Sequence, residues 1–395
     1  MPSEAIFLIT LGVLFLIGLV THYIGQHTFV PRVSALLLFG FTLGPFGFDI
    51  MPNLGESWFP RVADMALVMV GFMLGSSMNR DALILCGRRV LSFSLSVAIA
   101  SSLIVCLGLY LIGVPLHLAL LLGGIASATD PAATADVVRE SHAGGPFSQT
   151  LLGIVAVDDA WGLIIFSLML AAAQVVVGAG GPLAVCLHGL WEIGGALLIG
   201  VLIGVPMSYL TGRIQPGEPT LVEVLGLLFL CQGIALYLHV SYLLAAMTMG
   251  AVVSNVARHH KRPFHAIENI QWPLLVLFFI FAGASVRMEG NGGIIGVTAA
   301  YCALRVLGRL VGALVGGWLC RAQRHFSLLM SMALMPQAGV ALGMALVGAM
   351  AFSMEHFMLP VVVAATVVFE IVGPMLTRIA LKRMGESGVD NADRS

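Results

Sequence analysis

Residues 151–177 read LLGIVAVDDAWGLIIFSLMLAAAQVVV, an apolar run whose only charged residues are the adjacent Asp158 and Asp159. A run of this length is sufficient to cross the hydrocarbon core of a bilayer as a helix. A charge at the centre of a bilayer is costly, and intramembrane acids usually face a water-filled cavity in which they handle ions or protons. The pair therefore marks this segment as the candidate functional part of a membrane protein.

The composition of the whole chain favours the same class of protein. Of its 395 residues, 59% are hydrophobic and 10% are charged, and the mean hydropathy is +1.00. A net charge of -1 argues against nucleic acid as a partner, and the six cysteines include no CxxC pair. We expect an integral membrane protein in contact with lipid, without a cofactor.

Apolar stretches recur from end to end and predict an all-α polytopic membrane protein with about 13 transmembrane helices. The predicted spans cover roughly 5–22, 32–49, 57–78, 90–113, 116–138, 150–177, 188–211, 220–238, 240–257, 272–286, 293–319, 327–351 and 357–381.

The distribution of positive charge predicts the orientation of these spans. With the N-terminus outside, 14 lysines and arginines fall in cytoplasmic joints, whereas only Arg61 and Arg287 fall in outer joints. Lysine and arginine accumulate on the cytoplasmic side of membrane proteins. We therefore expect an N-out/C-in protein of a bacterial inner (plasma) membrane, with a cytoplasmic C-terminus.

Two proline-containing motifs occupy matching positions in the two halves of the chain. The fifth span contains SATDP at 127–131, and the twelfth contains MPQAG at 335–339. Because proline removes a backbone donor and clashes with the preceding turn, both helices should break near mid-membrane. Interrupted helices in corresponding spans are typical of inverted repeats, here joined by a linking helix at about 188–211. The residues expected at the crossing of the broken helices are Pro131, Pro336, Gln337 and Gly339.

The order and spacing of the motifs resemble the monovalent cation:proton antiporter superfamily, specifically its aspartate-pair branch (cation:proton antiporter-2). The resemblance covers nearly the whole chain. It rests on Thr129-Asp130-Pro131, Val157-Asp158-Asp159-Ala160, Arg305-x-x-Gly-Arg309 and Pro336-Gln337-x-Gly-Val-Ala.

The resemblance implies a homodimer in which a mobile core slides against a dimerisation scaffold, as an elevator does. The dimerisation part comprises spans 1–3 and 8–10, at about 5–78 and 220–286, and the core comprises spans 4–6 and 11–13, at about 90–177 and 293–381. Residues 1–384 would form this single transport domain. Residues 385–395 are predicted to be a disordered tail, and we expect no regulatory domain after the last span.

A carboxylate that binds either a proton or a small cation, but not both, couples the two flows by competition. By resemblance, Asp159 is the indispensable site for the ion and the proton, Asp158 is its partner, and Thr129 and Asp130 line or complete the site. Oxygen ligands suit Na⁺, Li⁺ and K⁺ alike, so the sequence leaves the choice among these cations open.

Arg305 and Arg309 are one helical turn apart and should lie on one face of the eleventh span. We expect Arg305 to pair with Asp158, and Glu370 in the last span to form a salt bridge with Arg309 or Arg305. Electrogenic members of the branch typically carry a lysine near position 305, whereas a guanidinium stays charged, so the exchange stoichiometry is left open. Glu192 and Glu223 lie nearer span ends and are expected to be solvated or to cap helices.

Other functions are consistent with buried acids. A cation channel would use similar residues but would not need two matched broken helices, and Na⁺-coupled uptake of an organic anion could use a similar fold. A membrane protease would need its two aspartates on separate helices, so an enzyme is not expected. Monovalent cation/proton antiport is the interpretation that the motifs favour.

Overall fold

The computed structural model describes ten stretches of the chain: residues 3–27, 32–44, 54–77, 87–178, 182–210, 220–257, 261–284, 292–337, 339–352 and 354–386. These residues form fifteen α-helices. In chain order they are α1 (Ser3–His27), α2 (Arg32–Leu43), α3 (Leu54–Ser77), α4 (Gly87–Leu111), α5 (Leu116–Ala126), α6 (Pro131–Glu140), α7 (Pro146–Val176), α8 (Pro182–Leu210), α9 (Thr220–Tyr237), α10 (Tyr242–Val256), α11 (Lys261–Ala284), α12 (Gly292–Leu319), α13 (Arg324–Ala333), α14 (Gly339–Phe352) and α15 (Glu355–Arg383).

Each predicted span overlaps one helix, or one pair of helices that meet at a break, although α11 begins 11 residues before its predicted span and residues 45–49 of the second span lie outside the described residues. Five of the described helices are long and apolar enough to cross a membrane by length and composition, or six if the bent helix α11 is counted as one span. The five lie within α4, α7, α8, α12 and α15. The all-helical membrane architecture is therefore confirmed. Most of the predicted tail, residues 387–395, lies outside the described residues.

The two predicted helix breaks are present, with Pro131 directly after the first and Pro336 within the second. Helix α5 ends at Ala126 and α6 begins at Pro131, and the intervening residues are SATD. Helix α13 ends at Ala333 and α14 begins at Gly339. Proline is well suited to the first turn of a helix, where its missing N–H leaves no bond unmade, and Pro131 occupies that position in α6. Each break leaves backbone carbonyls that need partners inside the protein.

The helices associate in two groups, each with its own dense packing. Helices α4, α5 and α7 pack together, and α12 packs extensively on α4. In the second group, α10 packs on α3 and α11 packs on α2 and α3. Helix α8 lies against α7 of the first group and against α10 of the second.

Glycines bring α12 into close contact with the backbone of α4. A methyl group added at Gly308 would lie 2.6 Å from Cα of Ser101, and one added at Gly316 would lie 2.8 Å from Cα of Phe93. Gly312 meets Val97 in the same way one turn away. Small residues permit this close approach between helices in lipid, where van der Waals packing supplies much of the attraction. The seam fixes the height of α12, which carries both buried arginines.

The N-terminus of α7 is capped by a residue from the other end of the chain. Pro146 is the first residue of α7, and the Glu386 carboxylate accepts hydrogen bonds from the backbone N–H groups of Phe147 and Ser148, at 2.8 and 2.9 Å. The Ser148 hydroxyl donates to the same carboxylate at 2.8 Å. A negative charge at a helix N-terminus is stabilised by the unpaired N–H groups and by the helix dipole. Glu386 therefore anchors the helix that carries the aspartate pair.

Candidate ion-binding site at the crossing of two broken helices

Helix α7 carries Asp158 and Asp159 near the middle of its 31 residues, far from either helix end. Both side chains are buried, with exposed fractions of 0% and 2%. Successive residues of an α-helix point about 100° apart, so the two carboxylates face different surroundings. Their partners are correspondingly different.

Asp158 is paired with an arginine and accepts a hydrogen bond from a threonine. Its Oδ2 atom lies 3.0 Å from Nη1 of Arg309, and it also accepts a hydrogen bond from the Thr129 hydroxyl in the first helix break. The predicted partner of Asp158 was Arg305, and that prediction is wrong. Arg309 is one turn further along α12 and is the residue that reaches the level of Asp158.

The guanidinium of Arg309 also binds the backbone of the first break. Its Nη2 atom donates to the carbonyl oxygens of Ser127 and Ala128, both at 2.8 Å. These carbonyls follow the last turn of α5 and have no intrahelical partner there. One buried cation therefore serves a carboxylate and a helix end together, which offsets the cost of burying it.

Arg305 joins the two breaks to each other. Its Nη2 atom donates to the carbonyl of Ala128 at 2.8 Å, and its Nη1 atom donates to the carbonyl of Met335 at 2.9 Å. The guanidinium also stacks over the ring of Phe369, 4.3 Å from the ring centroid. With both terminal nitrogens on carbonyls and its face on an aromatic ring, Arg305 is a structural bridge between the broken helices.

Further hydrogen bonds hold the breaks in contact. The backbone N–H of Asp130 donates to the carbonyl of Pro336 at 3.1 Å. The Gln337 amide donates to the Tyr301 hydroxyl at 3.1 Å and to the carbonyl of Ile125 at 3.4 Å. The broken helices thus meet at the residues that the sequence motifs indicated, with Pro131 and Gly339 each beginning the helix that follows its break.

Asp130 caps the helix that begins next to it. Its Oδ1 atom accepts the backbone N–H of Ala133 at 3.3 Å, and its carbonyl accepts the Thr134 hydroxyl at 2.9 Å. This is the hydrogen-bonding pattern of an N-cap residue. Asp130 therefore has a structural partner, and it stands close enough to Asp159 to act on it electrostatically.

Asp159 has a different environment from its neighbour. Within the described residues, neither of its carboxylate oxygens has a hydrogen-bond partner, although both are buried. The charged groups that act on it are Asp158, Asp130 and Arg309, and the single guanidinium among them is already bound to Asp158. A buried polar group without a partner is costly, and a proton or a cation on this carboxylate would lower that cost.

Glu370 does not pair with either arginine, and the predicted salt bridge is therefore wrong. Its Oε2 atom accepts the Ser34 hydroxyl at 3.0 Å, and the carboxylate also accepts a hydrogen bond from the backbone of Val33. Both donors belong to α2 of the other helix group. The terminal nitrogens of both arginines bind other groups: those of Arg305 bind the two breaks, and those of Arg309 bind the first break and Asp158.

Glu192 is buried, in contrast to what the sequence predicts. The side chain is 8% exposed and lines a cavity, whereas solvation or capping was expected. The sequence does contain a feature that could have predicted this setting, because Glu192 is the only Asp, Glu, Lys or Arg in α8. An acid alone on a membrane helix usually faces a polar cavity.

Comparisons with known proteins agree with this architecture. The ammonium/H⁺ antiporter subunit AmhT of Alkalihalophilus pseudofirmus is 23% identical over 79% of this chain and 79% of its own length. The probable Na⁺/H⁺ antiporter 2 of Methanocaldococcus jannaschii is 25% identical over 72% of this chain and 70% of its own length.

The same fold occurs in a solved antiporter structure. The sodium proton antiporter MjNhaP1 of Methanocaldococcus jannaschii superposes with a TM-score of 0.79 at 19% identity, covering 97% of this chain and all of that one. A second structure of MjNhaP1, from electron microscopy, gives a TM-score of 0.73 at 18% identity and covers 98% and 99% of the two chains. Residues 7–383 match the family described as sodium/hydrogen exchanger, transmembrane, and the chain therefore belongs to that family.

Proposed function

We propose that this protein is a secondary active antiporter that exchanges a monovalent cation for protons, with the two competing for the Asp159 carboxylate. Membership of the sodium/hydrogen exchanger family supports antiport as the class of activity. The names of the relatives AmhT and antiporter 2 support a monovalent cation and a proton as the exchanged pair.

The contrast between Asp158 and Asp159 is the observation that carries the proposal. The Asp158 charge is compensated by Arg309, whereas both oxygens of Asp159 lack a protein partner among the described residues. A buried carboxylate in this situation is stabilised either by a proton or by a bound cation. Since both bind the same oxygens, each excludes the other, and the exchange is coupled.

The arginine beside Asp158 also bears on the number of protons exchanged. Arginine remains protonated in proteins, so the Arg309–Asp158 pair cannot release a proton as a buried lysine could. Asp159 is then the one acid of the pair that changes its occupant. We infer that one proton is exchanged for each monovalent cation, without net charge movement. The adjacent aspartates favour the aspartate-pair branch of the superfamily, and the arginine is a departure from its electrogenic members.

The transport step in this proposal is a sliding of one helix group against the other. Helices α4–α7 and α12–α15 would form the moving core, and α1–α3 and α9–α11 would form the scaffold and the surface that joins two copies in a homodimer. The bonds from Glu370 to Ser34 and Val33 cross between these groups and rest on neutral donors, which can be exchanged without separating an ion pair. The charge distribution of the joints favours an N-out/C-in orientation in a plasma membrane.

The proposal is tested by measuring exchange in proteoliposomes with a panel of Na⁺, Li⁺, K⁺ and NH₄⁺ across pH 6 to 9. For one-for-one competition, a tenfold increase in cation concentration should move the acid limb of the activity profile to lower pH by up to about one unit. Setting the membrane potential with an ionophore should leave the rate unchanged if one proton is exchanged per cation.

Several outcomes would contradict the proposal. An apparent cation affinity that is the same at both ends of this pH range would mean separate sites for the ion and the proton. Collapse of a pH gradient without any counter-cation would indicate a channel. Accumulation of a labelled organic anion driven by Na⁺ would indicate a different transport class.

A further inference from the structure

A cavity of about 700 Å³ lies between the two helix groups, apart from the aspartate pair. Its walls come from α3, α7, α8 and α14 and from the turn between α9 and α10. His239 and Leu236 in its lining are exposed, so the cavity is open at that end. The polar and ionisable residues that line it include Asp64, Ser167, Gln174, Glu192, His239 and Tyr242.

Glu192 is the most unusual of these residues. Its side chain is only 8% exposed, and no hydrogen bond or ion pair reaches its carboxylate from the residues that the structure describes. Burying an acid without a partner is costly unless the group faces water or binds a cation. The second acid, Asp64, is held by the Tyr242 hydroxyl, which donates to its Oδ1 atom at 3.0 Å.

The charges in the cavity are unbalanced. Among the described residues that line it there are two acids and one histidine, but no lysine or arginine. A cleft with walls of low dielectric and charges of one sign concentrates the electric field and raises the local concentration of the opposite ion. The cavity therefore favours cations over anions.

The cavity follows the same face of α7 as Asp159. Its lining includes Leu163, Phe166, Leu170 and Gln174, which are 4, 7, 11 and 15 residues after Asp159 in one uninterrupted helix. At about 100° and 1.5 Å per residue, all four lie within roughly 60° of the Asp159 direction. The lining begins about 6 Å beyond Asp159 along the helix and extends to about 22 Å. Of these four lining residues, the buried Leu163 lies nearest to Asp159 along the helix.

The size of the cavity shows in which form an ion would occupy it. A volume of about 700 Å³ corresponds to roughly twenty water molecules at about 30 Å³ each. A monovalent cation can therefore keep its hydration shell there.

We propose that this cavity is a waiting site for the transported cation, in which Glu192, assisted by Asp64, holds the hydrated ion before it passes to Asp159. The assignment rests on the proposed antiport function and adds a second cation-binding position on one side of the membrane. Glu192 acts here on the concentration of the ion at the site and takes no part in the proton exchange at Asp159.

The test is the dependence of exchange on cation concentration at low ionic strength, for the wild-type protein and for Glu192→Gln. Removal of the charge should raise the KM for the cation about three- to tenfold, with a smaller change in the maximal rate. The increase should appear only when the cation is added on the side where α7 ends, as compared in right-side-out and inverted vesicles. It should shrink as inert salt is added, because salt screens the field of an open cavity.

Glu268→Gln is a control for the net charge of the protein, because Glu268 is an exposed acid outside the cavity, near the start of α11, which the proposed orientation places on the opposite side of the membrane. It removes the same charge and should leave KM unchanged. Glu192→Asp keeps the charge and should keep KM within about twofold of wild type. Since Glu192 has no partner to lose, Glu192→Gln should melt at or above the wild-type temperature, which separates the KM effect from misfolding.

An unchanged KM in Glu192→Gln, or an equal increase on both sides of the membrane, would overturn the waiting site while leaving antiport intact. An equal increase in Glu268→Gln would do the same, since it would show an effect of net charge alone. Failure of the antiport proposal would look different, because the wild-type protein itself would then show no cation-dependent proton movement.

Discussion

The regions around Asp158 and Asp159 differ more than two consecutive residues of one helix would suggest. The Asp158 region contains Arg309 and Thr129, and it borders the carbonyls of the first helix break. The Asp159 region offers its carboxylate no donor among the described residues. The two carboxylates are similarly buried, but Asp158 is paired with a buried guanidinium, whereas the charge of Asp159 has no such partner among the described residues.

The largest effect should come from Asp159→Asn, which should lower cation-dependent proton movement to the level of protein-free liposomes. An amide can neither bind a proton reversibly nor balance a cation. The measurement is dye-monitored exchange in proteoliposomes, together with melting in detergent to show that the protein is folded. Asp158→Asn is the matched variant and should retain measurable exchange. If Asp159→Asn exchanged cations robustly and Asp158→Asn did not, the roles assigned to the two regions would be reversed.

The next effect concerns stability. Arg309→Met should destabilise the protein by roughly 3 to 5 kcal/mol, because it leaves Asp158 as a buried charge without compensation. It also removes the donor to Ser127 and Ala128. Thermal melting of purified protein measures the loss.

A double variant sharpens the assignment of the ion pair. Asp158→Asn combined with Arg309→Met should melt higher than Arg309→Met alone, because the buried anion is gone. Asp158→Asn combined with Arg305→Met should show no such recovery, since Arg305 contacts carbonyls rather than Asp158. If the melting temperature recovered in the Arg305→Met combination instead, Arg305 would be the partner of Asp158, as the sequence predicted.

A smaller effect is expected at the cap of α7. Glu386→Gln keeps an acceptor but removes the negative charge at the helix N-terminus, and it should cost about 0.3 to 1 kcal/mol, less at high salt. Melting at low and high ionic strength measures the size of the stability loss and its dependence on salt. A loss that does not depend on salt would show that the hydrogen bonds to Phe147 and Ser148 matter more than the charge.

The smallest effect is expected at Glu370→Gln. The amide oxygen of glutamine can still accept the hydrogen bonds from Ser34 and Val33. The free energy of unfolding, measured by thermal melting, should therefore change by less than about 1 kcal/mol. Glu370→Leu removes the acceptor and should cost more. A loss of several kcal/mol in Glu370→Gln would point to a cation partner in solution, and it would place Glu370 with Asp158 rather than with the acids held by neutral donors.

The sequence was sufficient for the helices, the two breaks and the identity of the acidic pair. Proline and polar residues in apolar runs are local signals, and they predicted the interruptions near Pro131 and Pro336. Which of Arg305 and Arg309 pairs with Asp158 could not be predicted from the local sequence. Both lie on one face of α12, and the residue that reaches Asp158 depends on the height of α12 relative to α7. That height follows from packing between helices distant in sequence.

The remaining errors have the same origin. The acceptor role of Glu370 depends on α2, and the setting of Glu192 depends on a cavity bounded by helices from both halves of the chain. Helical periodicity gives the direction of a side chain around its own axis. It does not give the residue that the side chain contacts on another helix. The sequence therefore predicted on which helix face a residue lies better than it predicted the partner of that residue.

The glycine seam between α12 and α4 has a consequence for how the protein can move. With Gly308, Gly312 and Gly316 pressed on backbone atoms, sliding one helix past the other by a fraction of a turn would drive side chains of α4 into the α12 backbone. The close contacts therefore hold both arginines, and the broken helices that they bind, at a fixed height relative to α4. Cysteine cross-links between α4 and α12 should leave the transport rate unchanged, whereas a cross-link between α2 and α15 should stop transport.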